Sequence, residues 1–193
     1  QRGHALVVEG YMDVVALAQH GVEYAVATLG TATTPTHIQK LLRATQNVVF
    51  CFDGDKAGRT AAWRALEVAL PYLTDGANVS FLFLPQEHDP DSYVREFGRE
   101  AFEKLLLDAP SLLTYMLREL TGQVDLKSEE GRARLLQNAK PLISQITAPT
   151  LSLLLRNRLS ELTGVSRAEI DSLLQLAPVR VERAQDVERD REP

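Results

Sequence analysis

Four short, mainly apolar runs lie in the first half of the chain, and helical patterns of apolar and polar residues separate them. The runs cover residues 5–8, 24–28, 47–52 and 78–84, and the helical patterns cover residues 11–20, 33–44 and 56–72. Apolar strands that alternate with helices are typical of a mainly parallel sheet that helices cover on both faces. The pattern therefore predicts an α/β fold for this part of the chain.

The second half of the chain has a different pattern, in which apolar residues recur at helical spacing. It predicts five helices, over residues 100–107, 111–120, 128–146, 151–162 and 166–176. Their leucine stripes indicate the core of a small helical bundle. The last residues are mostly charged or polar and predict a linker or tail. The chain is thus expected to divide into an α/β domain, a helical subdomain and a tail, over residues 1–98, 99–178 and 179–193.

The charged residues are unevenly distributed along the chain, which carries a net charge of −5. Up to Pro110 there are 14 acidic and 9 basic residues, whereas 12 of each follow. Nucleic-acid-binding proteins normally present a basic surface. If this chain binds nucleic acid, either a cation must screen its carboxylates or a basic surface must come from elsewhere.

The cysteine content and the length of the apolar runs indicate the cellular compartment in which the protein occurs. Cys51 is the only cysteine, which excludes an intrachain disulfide and a cysteine-based zinc site within this sequence. It lies inside an apolar run, so it is expected to be a buried small residue rather than a nucleophile. No apolar run approaches the roughly 20 residues of a membrane span. These features predict a reducing, cytoplasmic environment and no membrane association.

Carboxylates follow three of the four predicted strands. The ends that follow parallel strands share one edge of the sheet, where open α/β sheets bind their ligands, so these carboxylates are expected to lie together. Asp13 lies one helical turn beyond the first of them and is expected to face the same edge. The predicted cluster consists of Glu9, Asp13, Asp53, Asp55, Asp89 and Asp91.

Such a cluster needs a positive counter-charge, because unpaired carboxylates in one crevice repel each other and raise each other's pKa. Oxygen ligands select hard divalent ions, so Mg²⁺ is expected, and Mn²⁺ can substitute for it. A site of this kind suits phosphoryl or nucleotidyl transfer, in which metal ions stabilise the attacking and leaving oxygens.

Residues beside the carboxylates are candidates for contact with phosphate. Gly10 and Gly54 interrupt the acidic motifs where the backbone must turn sharply or approach a phosphate closely. Lys56 and Arg59 begin a helix whose N-terminus adds positive potential to the site. Thr31 follows the second run and could line the same crevice, although a plain turn explains that segment equally well.

Each acidic motif also has a simple structural interpretation. The Asp-Gly-Asp motif at residues 53–55 alone would be a turn and a helix N-cap, and the Asp-Pro-Asp motif at residues 89–91 a loop and a cap. Asp13 is equally compatible with a solvated helix position. Glu9 differs, since a carboxylate that ends a buried strand is costly without a function. The occurrence of all these motifs at successive strand ends favours the functional interpretation.

Glu9-Gly10 followed by Asp53-x-Asp55 resembles the Toprim signature, which DnaG-type primases, type IA and type II topoisomerases, OLD-type nucleases and RecR-type repair proteins share. The longer strings VVEGYMDVVAL, AVATLGTATT, FCFDGDKAGRTAAWRAL and DPDSYVREFG are similar specifically to bacterial DnaG-type primases. The similarity extends to about Pro178. It implies a Rossmann-like Toprim domain over residues 1–98 and the helical subdomain of a primase RNA-polymerase core over residues 99–178.

The resemblance also implies an activity. Primases of this type join ribonucleoside triphosphates into short RNA primers on single-stranded DNA, by attack of a 3′-hydroxyl on an α-phosphate. In topoisomerases the residue that matches Glu9 is considered a general acid/base, so a ligand role and an acid/base role both remain open for it here. The residues that match the family's metal site are Glu9, Asp53, Asp55, Asp89 and Asp91, with Asp13 in the same cluster, and the first three are the candidate catalytic residues.

The family's other parts are expected outside these 193 residues. They are an N-terminal domain that binds zinc, a basic subdomain that contacts template and nucleotide phosphates, and a helicase-binding domain. The replicative helicase and the single-strand-binding protein are therefore expected to bind through parts absent here. This segment alone is expected to bind Mg²⁺ or Mn²⁺ but to synthesise primers weakly or not at all.

Two other functions remain open on the sequence. A Toprim nuclease or topoisomerase fragment would use the same carboxylates, although none of the five tyrosines is a persuasive transesterifying residue. A non-catalytic scaffold of the RecR type would keep the fold for assembly and would show no metal binding that depends on Asp53.

Overall fold

The computed structural model describes residues 3–28 and 33–176, which form a four-stranded sheet and eight α-helices. A 3₁₀ turn, Leu70–Tyr72, extends the third helix. The elements are β1 (His4–Val8), α1 (Tyr11–Gln19), β2 (Ala25–Ala27), α2 (Pro35–Ala44), β3 (Asn47–Phe52), α3 (Lys56–Ala69), β4 (Asn78–Phe83), α4 (Pro90–Leu107), α5 (Leu112–Gly122), α6 (Glu129–Ile143), α7 (Pro149–Thr163) and α8 (Arg167–Leu173). The predicted α/β fold with a following helical region is confirmed.

The sheet is parallel throughout, with the strand order β2-β1-β3-β4. Each parallel pair requires a connection that crosses a face of the sheet, and the helices between the strands provide these connections. The strand order places β3 between β1 and β4. The carboxyl ends of the three strands that acidic residues follow are therefore direct neighbours.

Apolar side chains fill both faces of the sheet. Successive residues of a strand point to opposite faces, so Leu6 and Val8 pack with α1 and α4, whereas Val7 packs with α2, α3 and the helical region. Because both faces are covered, the strands are almost continuously apolar. Cys51 is 2% exposed, and its burial, together with nearby acidic charges, raises the pKa of the thiol. It is the buried apolar residue that the sequence predicted.

The helix α5 packs against β4, and the following helices pack on it in succession, α6 on α5, α7 on α6 and α8 on α7. Tyr115 of α5 is 1% exposed, and its ring centroid lies 5.3 Å from that of Phe81 and 5.2 Å from that of Phe83. Leu135 of α6 and Leu155 of α7 belong to the same apolar cluster as the strand residues. One continuous core therefore joins the helical region to the sheet.

The helix α4 is longer than the sequence pattern predicted. The pattern predicted a helix only from residue 100, whereas α4 begins at Pro90 with Asp89 as its N-cap. Gly98 has a φ of +81° and breaks the helix, which divides its apolar periodicity into two short parts. The predicted boundary at residues 98/99 falls at this break, although Phe102 beyond it still packs against the sheet. The division into domains stays a prediction.

The other predicted elements agree with the structure to within three residues at each end. A capping box begins α8, since the Glu169 amide donates to Ser166 Oγ at 3.3 Å and the Ser166 amide donates to Glu169 Oε2 at 3.0 Å. Thr31 and the predicted tail over residues 179–193 lie outside the described residues. Within the described ranges, no helix has both the length and the apolar character that a membrane span requires.

Candidate metal centre

The structure brings the predicted carboxylates to the carboxyl edge of the sheet. Glu9 follows β1 directly and Asp53 follows β3 directly, so the two lie at the ends of neighbouring strands. The remaining carboxylates begin the helices that leave this edge. Asp13 is in the first turn of α1, Asp55 is the N-cap of α3, Asp89 is the N-cap of α4, and Asp91 is in the first turn of α4.

The carboxylates are close enough to influence one another's ionisation. Burial raises the pKa of Glu9, and three nearby aspartate charges raise it further. Burial is also the main cause of the raised pKa of Asp53, where three neighbouring carboxylates again add to the effect. The contributing charges are those of Asp53, Asp13 and Asp55 at Glu9, and those of Asp13, Asp55 and Asp89 at Asp53. The predicted concentration of negative charge is therefore present.

Asp13 has both a structural contact and an electrostatic one. Its Oδ2 accepts a hydrogen bond from the Gly10 amide at 3.0 Å, and a side chain at position 10 would crowd this oxygen. Burial raises the pKa of Asp13, the Gly10 amide lowers it, and the charges of Asp89 and Asp91 raise it, with a net increase. Asp13 thus closes the first turn of α1 and adds charge to the cluster.

Asp55 and Asp89 are helix caps as well as members of the cluster. Asp55 Oδ1 accepts from the Gly58 amide at 2.7 Å, and Asp89 Oδ1 accepts from the Ser92 amide at 2.7 Å. The amide and hydroxyl groups of Ser92 lower the pKa of Asp89. The simple structural interpretation of both motifs is therefore correct. It does not compete with the functional one, because each cap uses one carboxylate oxygen and leaves the other for a ligand.

Asp91 forms an ion pair with an arginine of its own helix. Arg95 Nη2 donates to both carboxylate oxygens of Asp91, at 2.8 and 2.7 Å. The i,i+4 spacing of Asp91 and Arg95 is visible in the sequence and is the signal from which this ion pair could be predicted. The Arg95 side chain is 71% exposed and can turn into solvent, which Asp91 requires before it can bind an ion. By contrast, Glu9 and Asp53 have no hydrogen-bond or ion-pair partner among residues 3–28 and 33–176.

Two glycines allow close backbone contacts around the loop that follows β3. A Cβ atom on Gly54 would overlap the Leu84 carbonyl oxygen, and one on Gly58 would overlap the Asp53 carbonyl oxygen. The sequence predicted that Gly54 permits a sharp turn or a close approach to phosphate. The close approach that the structure shows is instead to the backbone of residues 84–86, which positions Asp53 and Asp55 beside the loop after β4.

The donor chemistry of the cluster fits a hard divalent cation, since carboxylate oxygens are the ligands that such cations prefer. Burial, followed by the charges of neighbouring carboxylates, raises the pKa values of Glu9, Asp13 and Asp53, and a bound cation would offset both effects. In the part of the chain that the structure describes, no three Asp, Glu, His or Cys side chains are already arranged around one ion position. Metal binding at this edge would therefore require side-chain rotation, and the ligand set stays a prediction.

The predicted phosphate-contacting cations lie in the first turn of α3. Lys56 and Arg59 are both exposed, and the Arg59 guanidinium lies 5.6 Å from the centroid of the Phe83 ring. Their position next to Asp55 agrees with the predicted arrangement, whereas contact with a nucleotide stays a prediction.

Comparison with known proteins identifies the family to which these features belong. A family model described as Toprim-like matches residues 6–94. The DNA primase of Escherichia coli strain K12 is 58% identical over 160 residues, which cover 83% of this chain and 28% of that protein. The DNA primase of Neisseria meningitidis serogroup A is 54% identical over 182 residues, which cover 93% of this chain and 31% of that protein.

Solved structures agree in fold and in sequence. A DNA primase domain from Pseudomonas aeruginosa superposes with a TM-score of 0.86 at 51% identity, over 89% of this chain and 54% of that one. A DnaG primase catalytic domain bound to single-stranded DNA superposes with a TM-score of 0.84 at 54% identity, over 88% and 54%. The chain belongs to the bacterial DnaG-type primase family. It spans about a third of the length of the curated DnaG-type primases that it matches, and just over half of the solved domains.

The helical region also matches a part of the DnaG-type primase family. A family model described as the DnaB-helicase binding domain of primase matches residues 113–168, which include most of α5, all of α6 and α7, and the start of α8. The resemblance to DnaG-type primases implied a helicase-binding domain outside these 193 residues. The match instead falls within them.

Proposed function

We propose that this chain carries the nucleotidyl-transfer centre of a primase, which joins ribonucleoside triphosphates into an RNA primer on a single-stranded DNA template. The observation that carries the proposal is the pair of unpartnered carboxylates, Glu9 and Asp53, at the ends of neighbouring strands, each with a raised pKa. The naming of the relatives as DNA primases supports it, as does the single-stranded DNA bound by one related catalytic domain.

Glu9 and Asp53 would hold Mg²⁺, or Mn²⁺ in its place, together with the free oxygens of Asp55 and Asp89. Asp91 would join them once Arg95 has turned into solvent. A bound divalent ion would neutralise these carboxylates and polarise the phosphate at which the 3′-hydroxyl attacks. Before an ion binds, the carboxylates repel one another, and a bound cation would relieve this repulsion.

Lys56, Arg59 and the N-terminus of α3 would orient the nucleotide phosphates beside the carboxylates. A helix N-terminus presents unpaired amide groups and a positive potential, and both favour phosphate. Glu9 has a second possible role, because a carboxyl group with a raised pKa is suited to accept and return the proton of the attacking hydroxyl group. Thr31 is a further candidate for phosphate contact.

The extent of the similarity favours a primase over the other Toprim functions. Nucleases, topoisomerases and RecR-type scaffolds share the carboxylate motif, but the match to DNA primases continues through the helical region and covers 93% of this chain. A fragment of a nuclease or topoisomerase would not be expected to match primases beyond the sheet.

The partners that we propose follow from the same family. The match of residues 113–168 supports the replicative helicase as a partner, with α5 to α7 as the candidate contact region. A role for the single-strand-binding protein rests on the resemblance alone. Zinc would bind to another domain of the family, because a cysteine-based zinc site needs several cysteines and Cys51 is the only one in this sequence. Primer synthesis at the replication fork would take place in the bacterial cytoplasm.

Metal binding by the carboxylates is tested by calorimetric titration of the metal-free chain with Mn²⁺. We expect Asp53→Asn to weaken binding at least tenfold. Asp108→Asn is the matched control, because Asp108 is an exposed carboxylate at the opposite end of α4 from the cluster, and it should bind Mn²⁺ like the original chain. Equal binding by all three proteins would refute the metal centre, and an absence of titration would favour a scaffold.

The chemistry is tested in a complete primase. This chain would replace the matching segment of the Escherichia coli primase, to which it is 58% identical, and primer synthesis on single-stranded DNA would be measured. We expect synthesis by the chimera and its loss with Asp53→Asn. Metal-dependent cleavage of DNA without nucleotides, and no synthesis, would instead identify a nuclease.

A further inference from the structure

A groove of about 430 Å³ runs along the exposed face of α3, and α5 forms its other wall. Lys56, Arg59 and Arg64 line the groove on successive turns of α3, and all three side chains are exposed. Within residues 3–28 and 33–176, none of the three pairs with a carboxylate, although four other arginines in the same ranges do. The groove therefore presents free positive charge.

Aromatic rings underlie these cations. Trp63 is half-buried in the groove, with its ring centroid 6.4 Å from that of Tyr115 in an edge-on arrangement. Arg59 lies over the Phe83 ring, and Arg118 lies over the Tyr115 ring with its guanidinium carbon 5.9 Å from the centroid. Contacts of this kind hold a guanidinium in place without neutralising its charge.

The groove is more positive than the chain that carries it. Two carboxylates line it, those of Glu67 and Glu119, and Glu67 already accepts a hydrogen bond from Trp63 Nε1 at 3.1 Å. Three cations line the groove against these two acids, whereas the whole chain has a net charge of −5. The groove is thus a local surface for an anionic ligand.

We infer that this groove binds a single strand of nucleic acid that runs from the carboxylate edge along α3. This inference rests on the proposed function and assigns it a strand-binding surface. Lys56 follows Asp55 directly, so the groove begins at the candidate metal centre. From Lys56 to Arg64 the helix rises about 12 Å, at 1.5 Å per residue, which is enough for a few nucleotides. Phosphates meet the cations, and an unpaired base stacks on the exposed part of Trp63.

An acidic peptide is the other anionic ligand that the charges alone would accept. The arrangement of the aromatic groups favours nucleic acid, because every base has a flat face that stacks on an aromatic ring, whereas an acidic side chain does not. Duplex DNA is less suitable, since its bases are already stacked and paired.

Trp63 makes the inference directly testable, because it is the only tryptophan in the chain. Oligothymidylate would be titrated into the chain at low salt with a chelator present, and the tryptophan fluorescence would be recorded. We expect saturable quenching that weakens as the salt concentration rises. Because the chelator removes divalent ions, the outcome does not depend on the metal centre, and failure of one proposal is distinguishable from failure of the other.

Two arginine variants locate the bound strand. Arg64→Ala should weaken binding about five- to tenfold and reduce the salt dependence of log K by about 0.7, the value for one phosphate contact with a single strand. Arg134→Ala should leave both unchanged, because Arg134 is an exposed arginine on α6 that does not line the groove.

Three results would overturn the inference. The first is equal weakening by Arg64→Ala and Arg134→Ala. The second is a rise in the anisotropy of a dye-labelled oligonucleotide without any change in Trp63 fluorescence, because the strand would then bind elsewhere. The third is quenching by polyglutamate at the same charge concentration, which would identify a site for acidic peptides.

Discussion

The carboxylate of Asp75 caps a helix that begins far along the chain, accepting a hydrogen bond from the Leu151 amide at 3.0 Å. Its second oxygen accepts from the Thr150 amide at 3.1 Å. Ala148 occupies the N-cap position of α7 and has no side-chain oxygen to offer. A residue from the turn before β4 thus satisfies two amides at the start of α7 and ties the helical region to the sheet segment.

Removal of this cap should destabilise the chain. We expect Asp75→Ala to lower the free energy of unfolding by about 1 kcal/mol, the usual cost of a lost N-cap. Desolvation raises the pKa of Asp75, but the hydrogen bonds from Leu151 and Thr150 lower it more, so the net direction is down. The contribution is therefore present above the ordinary aspartate pKa and is lost as the pH falls through the lowered value.

Urea unfolding at pH 7 measures this effect. Asp108→Ala serves as the control, because Asp108 is an exposed aspartate at the C-terminal end of α4, where a negative charge is unfavourable. It should be neutral or slightly stabilising. If Asp75→Ala were also neutral, the two hydrogen bonds would contribute nothing to the attachment of α7.

Gly54 should not tolerate a side chain. Gly54→Ala places a Cβ atom on the Leu84 carbonyl oxygen, so the loop after β3 must move away from β4. We expect a loss of about 1–3 kcal/mol in the free energy of unfolding, as for other overpacked sites. Gly122→Ala is the control, because nothing lies within 4 Å of its added Cβ and it ends α5. Thermal unfolding should show no loss for this variant.

The metal-free chain should become less stable as the pH rises above the ordinary pKa values of the clustered carboxylates. Burial and mutual repulsion raise the pKa values of Glu9, Asp13 and Asp53 in the folded chain, so it binds more protons than the unfolded chain between the ordinary and the raised values. Stability then falls as the pH rises through this window. The lowered pKa of Asp89 has the opposite effect on the pH dependence of stability, but that effect occurs at more acidic pH.

Thermal unfolding in a chelating buffer across this pH range measures the effect. Asp53→Asn should flatten the dependence, because it removes one titrating group and part of the repulsion on the other two. A melting temperature that rises with pH in the original chain would contradict the sign.

Asp53→Asn should separate stability from metal binding. Without metal, the variant is expected to gain up to about 1 kcal/mol, a modest value because solvent screens this partly exposed site. With Mn²⁺ at 100 times its Kd, the original chain should gain about 2.7 kcal/mol, and the variant should gain little at the same concentration. Differential scanning calorimetry with and without Mn²⁺ checks both parts, and a metal-free loss of stability would show that Asp53 serves the fold.

The sequence alone located most elements and the candidate centre. Strand and helix periodicities depend on neighbouring residues, so they were readable without knowledge of the tertiary structure, as was the occurrence of Glu9 and Asp53 directly after strands. The exception was α4, where Gly98 interrupts the apolar repeat and concealed the first part of the helix. Local patterns were sufficient to predict an element wherever its apolar residues kept a single periodicity along its whole length.

Only the tertiary structure decided how these parts meet. The order β2-β1-β3-β4, which makes Glu9 and Asp53 neighbours, depends on strand pairing across dozens of residues. The same is true of the Asp75 cap on α7 and of the groove between α3 and α5. Periodicity determines which face of an element is buried, but not which partner covers it, because many distant segments present equivalent apolar surfaces and only packing of the whole chain selects among them.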